Sequence, residues 1–376
     1  MKKKEIVFIR TNSVPPDSRV EKEVDCLNEV GHGVKVLAWD RDKKYKIKCN
    51  HLDLPNGKVE VFNLGIPATF GEGFKNLLPY VKFQIGIFKW LFANRKKYTI
   101  IHACDFHTAF TARICAKLLR KKLIFDIFDY LSTKPTGILG KIVKRFEDSI
   151  INKADGVIIC SEQRKQQIAG TNPKKLAVIH NSPAKYIKEG EIDDKSNGTK
   201  IYRIVYVGIL QDYRLLKEIG EAVGDMINVE LHIGGFGKYE NYFMELSKKY
   251  DNIKYYGKLS YAKTLELEQQ CHIMTAIYEP SIGNHYYAAP NKFYEALMLG
   301  KPLIMVKNTG MSDIVAENEI GVLIDYSKES FKAGVTELIK QEHKWNEMSV
   351  KMKEIYDTRF SWEEMKKRLV LFYKEI

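Results

Sequence analysis

Short apolar segments rich in β-branched residues alternate along the chain with longer segments of mixed polarity. This alternation is typical of parallel strands covered by helices, so the predicted fold class is α/β. In the first half, strands are expected at 5–10, 34–39, 59–63, 99–103, 122–127, 156–160 and 176–180. In the second half, strands are expected at 202–208, 229–233, 253–256, 272–277, 302–306 and 321–324.

The same pattern predicts two domains. A chain of 376 residues is long enough for two cores of ordinary size, and 45% hydrophobic with 28% charged residues is a globular composition. The polar stretch 189–198 separates the two runs of strands and reads as a linker. We therefore expect a first domain over 1–190 and a second over 199–361, followed by a segment with helical apolar spacing at 362–376.

The stretch 272–306 carries the clearest chemistry. It predicts a strand, a loop over 278–289, a helix over 290–299 and a second strand. Pro290 suits the first helical turn and Gly300 suits the position just after a helix. Backbone N–H groups at the start of such a helix bind anions, and Lys292 adds a positive charge there. A diphosphate at the helix start with Glu295 on a ribose would use these groups, although an ordinary α/β crossover has the same pattern.

Residues 289–304 (Ala-Pro-Asn-Lys-Phe-Tyr-Glu-Ala-Leu-Met-Leu-Gly-Lys-Pro-Leu-Ile) resemble the nucleotide-sugar site of retaining glycosyltransferases of family 4, in the form of its Pro-x-Lys subgroup. The resemblance implies a GT-B fold, in which two Rossmann-like domains with parallel sheets face each other across a cleft. The first domain would bind the acceptor and the second the nucleotide sugar, with the tail 362–376 packed on the first. Further segments that resemble the family are 17–23, 31–37, 101–103, 124–129, 178–183, 205–210, 310–321 and 360–363.

The resemblance assigns roles to individual residues. Arg214, with Lys217 as a weaker candidate, and Lys292 would bind the donor diphosphate, and Glu295 would hold the ribose. The remaining donor-site residues are Gly208, Gly235, Phe236, Pro290 and Asn291.

Two positions depart from the family pattern. Tyr287 stands where the family has a first glutamate, and Phe128 stands where it often has a histidine. Asp129 is then expected to face the acceptor, and Asp126 to be structural. Arg214, Lys292 and Asp129 are the expected catalytic residues.

The positive charge is confined to the first half of the chain. Residues 1–195 contain 36 Lys and Arg against 22 Asp and Glu, a net charge of +14, whereas residues 196–376 contain 24 against 25, a net charge of −1. A basic surface implies an anionic partner. Apolar residues around Lys75, Lys82 and Lys89 predict an amphipathic helix that binds an anionic membrane; the alternative is a solvated lysine stripe.

Other motifs predict no metal site and no spanning helix. The six cysteines form no CxxC pair, which indicates free thiols in a reducing compartment. Asp40-Arg41-Asp42 is interpreted as a loop, and no uninterrupted apolar run is long enough to span a membrane. His102 and His107 are weak candidates for the cleft. Ser18 and Glu21 suggest a capping box, beside which Arg19 could point into the cleft.

These observations predict a retaining glycosyltransferase that moves a sugar from a nucleotide diphosphate, by default UDP, to a glycan or lipid-linked glycan in cell-surface polysaccharide biosynthesis. It would need no metal and no cofactor, and would work in the cytoplasm at the inner face of the cell membrane. The alternatives are a nucleotide-sugar isomerase or epimerase of GT-B fold and a non-catalytic nucleotide-sugar-binding protein. A nucleic-acid partner is not expected, because no zinc-finger, RNP-like or basic-zipper pattern is present.

Overall fold

A computed structural model describes residues 3–69, 76–130, 137–186, 195–196 and 199–376 of the chain. The chain forms two compact units. Unit 1 consists of Met1–His180 together with Met365–Ile376, and unit 2 consists of Asn181–Glu364.

Unit 1 is built on an eight-stranded sheet in the order β3-β4-β2-β1-β5-β6-β7-β8. Neighbouring strands are parallel except for β3, which is antiparallel to β4. The strands are β1 Glu5–Arg10, β2 Gly33–Asp40, β3 Tyr45–Leu54, β4 Gly57–Gly65, β5 Ile100–Cys104, β6 Lys122–Ile127, β7 Gly156–Ile159 and β8 Leu176–Val178. The helices are α1 Ser18–Glu29, α2 Leu77–Ala93, α3 Phe106–Leu119, α4 Gly137–Lys153, α5 Arg164–Gln167 and, at the end of the chain, α14 Trp362–Glu375.

Strand β3 was not predicted. Its sequence alternates lysine and other polar residues with few apolar ones, and only Leu52 is buried. An edge strand needs no buried face, so apolar periodicity gives no signal for it. The other strands of unit 1 lie within two residues of their predicted bounds.

The start of helix α1 differs by one residue from the predicted capping box. Asp17, not Ser18, is the N-cap, and its Oδ1 accepts from the backbone N–H of Val20 at 3.2 Å. Glu21 completes the box, since its Oε1 accepts from the backbone N–H of Asp17 at 2.7 Å.

A buried ionic network joins α1 to the sheet and to α14. The Arg19 guanidinium lies 2.9 Å from Asp126 and 3.1 Å from Glu23, all with little or no exposure. His102 lies 3.4 Å from Asp126 through Nε2 and 2.7 Å from the Tyr373 hydroxyl through Nδ1. Arg19 and His102 are thus held in the interior of unit 1.

The two carboxyl groups of this network differ in charge. Burial raises the pKa of Glu23 well above its ordinary value, and the neighbouring Asp126 adds to this. Burial acts in the same direction on Asp126, but Arg19 and His102 outweigh it and leave the pKa of Asp126 below its ordinary value. Asp126 is therefore the ionised partner of Arg19, and Glu23 is the neutral one.

Unit 2 contains a six-stranded, fully parallel sheet in the order β13-β12-β11-β14-β15-β16. A short hairpin, β9 Lys195–Ser196 with β10 Thr199–Lys200, precedes it at the end of the expected linker, and β10 lies just beyond the linker's predicted bound. The sheet strands are β11 Tyr202–Ile209, β12 Val229–Phe236, β13 Ile253–Tyr255, β14 Ile273–Ala276, β15 Leu303–Val306 and β16 Gly321–Ile324. The helices are α6 Leu216–Gly224, α7 Glu240–Lys249, α8 Tyr261–Gln269, α9 Gly283–Tyr286, α10 Asn291–Leu299, α11 Ser312–Asn318, α12 Lys328–Lys340 and α13 Trp345–Ile355, with a 3₁₀ turn at Glu342–Lys344 and a π-helical turn at Tyr356–Phe360.

The predicted α/β class, with two Rossmann-like units built on parallel sheets, is confirmed. One correction concerns helix α10, which begins at Asn291. Pro290 is its N-cap, with φ −70° and ψ 132°, and not a residue of the first turn. Gly300 closes the helix with φ +67°, as its position predicted.

The ionic network generates a prediction for stability. Arg19→Met would leave the Asp126 carboxylate buried without its guanidinium partner, which typically costs about 3–5 kcal/mol. Urea unfolding measures this loss. The matched control is Arg95→Met, because the exposed Arg95 bonds only to the carbonyl of Phe92 in its own turn, and we expect a change below about 0.5 kcal/mol. Equal effects of the two substitutions would contradict a structural role for the network.

Candidate donor-diphosphate site

The candidate site lies at the carboxyl edge of the unit 2 sheet. Strands β11 and β12 run in register so that Gly208 is opposite Gly235, close to the end of each strand. Gly235 has φ +139°, and a Cβ there would lie 1.8 Å from the carbonyl oxygen of Gly208. Glycine at this position is therefore required for the two backbones to approach, which leaves the strand ends open to a ligand.

Lys292, in the first turn of α10, reaches over the end of β11. Its Nζ lies 4.6 Å from the centre of the Tyr206 ring, and a Cβ on Gly208 would be 2.8 Å from the same atom. Burial by itself would lower the pKa of Lys292, but the neighbouring Tyr206, Tyr278 and Glu295 outweigh it and the pKa is raised. The site thus holds a desolvated ammonium group in its charged form.

Arg214 lies in the loop that follows β11. Its Nη1 contacts His285 Nε2 at 3.0 Å, and its Cζ lies 4.0 Å from the centre of the Tyr278 ring. His285 Nδ1 contacts the carbonyl oxygen of Glu279 at 2.9 Å, so Nδ1 carries the proton and Nε2 accepts from Arg214. The guanidinium is therefore oriented by contacts within unit 2.

The backbone around Arg214 is strained in a way that fixes its direction. Tyr213 has φ +67° and Leu215 has φ +54°, both unusual for residues other than glycine. The Leu215 N–H donates to the Tyr326 hydroxyl at 3.0 Å. Strained residues of this kind cluster at functional loops. Lys217, the weaker candidate, instead contacts the ring of Tyr239, 4.9 Å from its centre.

Glu295 is almost fully buried, one turn after Lys292. The Tyr261 hydroxyl, at the start of α8, donates to its carboxylate. Glu268, on the same helix, is also buried, and burial together with Glu295 raises its pKa well above the ordinary value. Lys292 thus has two carboxyl groups nearby, of which Glu268 favours its neutral form.

The loop between β14 and α10 contains the short helix α9, which the apolar pattern did not predict. Tyr287 follows it at the position of the missing glutamate, with its ring centre 4.9 Å from that of Tyr286. The carbonyl of Tyr286 accepts from the N–H of Gly310 at 2.8 Å. This bond holds the loop against the neighbouring chain segment.

The other expected donor-site residues also lie at this edge. Phe236 ends β12 with an exposed ring, and Lys258 Nζ lies 5.0 Å from its centre. Asn291 is exposed at the start of α10, directly after the buried Pro290.

Four residues that shape the site were not predicted from the sequence: Tyr261, Glu268, Tyr278 and His285. The only available signal was that Tyr278 and His285 fall in the loop before α10.

In unit 1, Asp129 lies just beyond the end of β6. Its side chain is mostly exposed, with Arg164 at 3.4 Å. The backbone N–H groups of Phe128 and Asp129 donate to Asp105 Oδ1 at 3.0 and 3.1 Å. Asp105, which follows β5 with φ +66°, therefore shapes this loop, and sequence reasoning missed it.

The Phe128 ring lies between two guanidinium groups. The Cζ atoms of Arg10 and Arg19 are 4.2 and 4.6 Å from its centre. Arg10 also pairs with Asp17 and Asp105, each at 2.7 Å. In place of a histidine, the chain thus has a cation–π stack that is braced by carboxylates.

Models of two protein families match the chain. "Glycosyltransferase Family 4" matches residues 19–182, and "Glycosyl transferases group 1" matches residues 188–355. These two domains indicate a GT-B glycosyltransferase. No curated protein matches the chain in sequence.

Solved structures similar to this glycosyltransferase extend over its whole length. Sucrose-phosphate synthase from Thermosynechococcus elongatus superposes with a TM-score of 0.76 at 14% identity, covering 98% of each chain. Anabaena HepE in complex with UDP-glucose has a TM-score of 0.70 at 15% identity, covering 99% of this chain and 100% of that one. The lipopolysaccharide outer core galactosyltransferase WaaB has a TM-score of 0.63 at 16% identity, covering 97% and 99%. At these identities the likeness establishes the fold.

One group of side chains in the glycosyltransferase has the composition of a metal site. His102, Cys104 and Asp126 are buried within 4.8 Å of one another. The Arg19 guanidinium already forms a salt bridge with Asp126 at 2.9 Å, and burial raises the pKa of Cys104 well above the ordinary value of a thiol. A metal ion would be unfavourable next to the Arg19 charge and a protonated thiol, so this group is part of the ionic network.

Asp40 of the Asp40-Arg41-Asp42 motif accepts from the Tyr45 hydroxyl at 2.5 Å and from backbone N–H groups, as a turn residue does.

A cavity of about 500 Å³ lies at the opposite end of α10 from Lys292. Lys301 and Lys353 line it, near the last carbonyls of the helix. Burial lowers the pKa of Lys301 to about 8, and Lys353 acts in the same direction. Since lysines at a helix C-terminus balance the helix dipole, a structural role accounts for both.

The contact between Gly208 and Lys292 generates a prediction. In Gly208→Ala the new methyl group crowds the movable end of the Lys292 side chain and meets the Tyr206 hydroxyl at an ordinary contact distance of 3.5 Å, so the melting temperature should change little. The displaced ammonium should weaken UDP binding about tenfold, because a charge-assisted contact to phosphate is lost. Calorimetric titration with UDP measures the affinity of the wild type and of the variant. In a double mutant with Lys292→Met, Gly208→Ala should add no further loss.

Gly235→Ala is the contrasting variant. Its Cβ would overlap the Gly208 carbonyl oxygen, so the backbone itself must move and both melting temperature and binding should fall. If Gly208→Ala binds UDP as the wild type does, Lys292 is not a phosphate ligand.

Proposed function

We propose that this glycosyltransferase moves a sugar from a UDP-sugar to a hydroxyl group of a glycan, with retention of the anomeric configuration. The observation that carries the proposal is the pair of oriented cations at the carboxyl edge of the unit 2 sheet. Lys292 lies over Gly208, and Arg214 is held by His285 and Tyr278. The N-terminus of α10 adds unpaired N–H groups beside them.

These groups suit the leaving group of the reaction. When the bond between the sugar C1 and the β-phosphate oxygen breaks, the electron pair stays on the diphosphate. Lys292, Arg214 and the start of α10 would stabilise this developing charge, which is the largest catalytic effect such a site can supply. Both cations are in place before the donor binds, so little reorganisation is needed.

Retention is proposed to proceed on one face of the sugar. A covalent route would need a carboxylate nucleophile close to C1, and the position of the family's first glutamate is occupied by Tyr287. The acceptor hydroxyl would instead attack from the side of the leaving group. Its proton would pass to the departing phosphate oxygen, so that atoms and charge balance without an enzymic carboxylate.

Glu295 would recognise the nucleoside. Its carboxyl group, with Tyr261 fixing its position, would accept from the ribose hydroxyls. A hydrogen bond to a charged group contributes about 1.5–3 kcal/mol. UDP is favoured as the nucleotide because Anabaena HepE, a structural neighbour, binds UDP and UDP-glucose.

The acceptor is proposed to be a glycan or a lipid-linked glycan in cell-surface polysaccharide biosynthesis. The positive charge of residues 1–195 suits an acceptor that carries phosphate or lies at an anionic membrane. Asp129 would face the acceptor hydroxyl. The enzyme would then work as a peripheral protein at the inner face of the cell membrane; no described helix is long and apolar enough to cross the bilayer.

The reaction itself is tested with a panel of UDP-, GDP- and dTDP-sugars and glycan acceptors, with NMR of the product linkage. We expect transfer from a UDP-sugar, the same anomeric configuration in donor and product, and full activity in EDTA, since neither step uses a metal. An inverted product would overturn the one-face mechanism. A changed sugar with donor alone would indicate an isomerase, and UDP-sugar binding without turnover would indicate a non-catalytic binding protein.

A further inference from the structure

We infer that the outward faces of α2, α3 and α4 in unit 1 form a docking surface for an anionic lipid bilayer. This surface, called here the three-helix face, goes beyond the predicted lysine stripe because its main component is apolar. Of that stripe, Lys82 and Lys89 lie on α2, and Lys75 lies outside the described residues. It bears on where the enzyme works and does not depend on the transfer reaction.

The three helices cover one side of the unit 1 sheet. Their inward residues, such as Phe83 on α2, Ala112 on α3 and Ile151 on α4, belong to one buried core with strand residues. Adjacent helices are joined side by side. Gln84 of α2 donates to the carbonyl of His107 on α3 at 2.8 Å, and Arg113 of α3 donates to Ser149 on α4 at 3.1 Å.

The outward residues are apolar as well. In α3 and α4 they recur every four residues, which places each set on one side of its helix. The exposed apolar residues are Leu77, Leu78, Val81, Ile85 and Phe88 on α2, Phe110, Ile114 and Leu118 on α3, and Ile138, Ile142 and Phe146 on α4.

These side chains lie on neighbouring helices, and those of α3 and α4 meet directly. The rings of Phe110 and Phe146 lie 5.9 Å apart and join α3 to α4. The exposed fraction is 63% for Leu78, 61% for Leu118 and 78% for Ile138. Exposed apolar surface of this extent marks an interaction site.

The charges of the three-helix face indicate what kind of partner it binds. Helices α2 and α3 contain no Asp or Glu, and α4 contains only the buried Glu147 and Asp148, which is bonded to Lys144 and Tyr130. The basic residues of the three helices are Lys82, Lys89, Arg113, Lys117, Lys141, Lys144, Arg145 and Lys153.

An apolar surface with a basic border matches the interfacial region of a bilayer that contains acidic lipids. A second copy of the chain fits poorly, because two such faces would bring like charges together. On helix α2, Lys82 and Lys89 are exposed beside Val81, Ile85 and Phe88. The lysines and the apolar side chains can therefore contact the same membrane.

The docking is tested by sedimentation with vesicles of phosphatidylcholine, alone or mixed with phosphatidylglycerol. We expect the wild type to bind the mixed vesicles and to be released as salt rises. The triple variant Ile85→Ser, Ile114→Ser and Ile142→Ser removes one exposed apolar side chain from each helix. Its affinity for the vesicles should fall by a factor of about ten or more. Lys82→Gln with Lys89→Gln should weaken binding to mixed vesicles only.

The matched control is Ile227→Ser with Val350→Ser and Leu371→Ser, three exposed apolar residues outside the three-helix face, and it should bind as the wild type does. Thermal stabilisation by UDP serves as the folding control and reports on the donor site separately. Unchanged vesicle binding by the apolar triple variant would overturn the inference. So would a wild-type dimer in sedimentation velocity that the triple variant abolishes, since the face would then be a self-interface.

Discussion

The half-buried ammonium group of Lys292 is the feature on which the candidate site depends. A charge removed from water is costly unless other groups balance it. Here the Glu295 carboxyl group, one turn further along α10, and the ring of Tyr206, whose centre is 4.6 Å from Lys292 Nζ, lie close to this charge. In the proposed function, the donor diphosphate would bring its negative charge to Lys292 and Arg214.

The glycines of β11 and β12 make this arrangement possible. Gly235 lets the two strand ends approach, and Gly208 leaves room for the Lys292 side chain above the strand. The loop after β11 adds Arg214, whose direction is set by His285 and by strained neighbours. The second cation is thus also fixed in the folded state, which suits stabilisation of a charge that appears only as the sugar bond breaks.

Most of the framework followed from the sequence because strand and helix periodicity are local properties. Strands buried in parallel sheets leave apolar runs, and helix α10 was indicated by Pro290 and Gly300. The residues that orient the cations were not predictable in the same way. His285, Tyr261, Glu268 and Asp105 act through contacts with residues distant in sequence, and none of them lies in a motif that is specific by itself. The edge strand β3 and the outward apolar faces of α3 and α4 were not predicted, for a related reason. Periodicity shows which residues share a face, but not which face the fold buries.

Calorimetric titration of Lys292→Met and Glu295→Ala with UDP and with uridine tests the central claim most directly. If Lys292 binds the diphosphate and Glu295 the ribose, Lys292→Met should weaken UDP binding about tenfold or more and leave uridine binding unchanged. Glu295→Ala should weaken both ligands by a similar factor. Equal losses of UDP and uridine affinity in Lys292→Met, or unchanged affinity for UDP, would contradict the account.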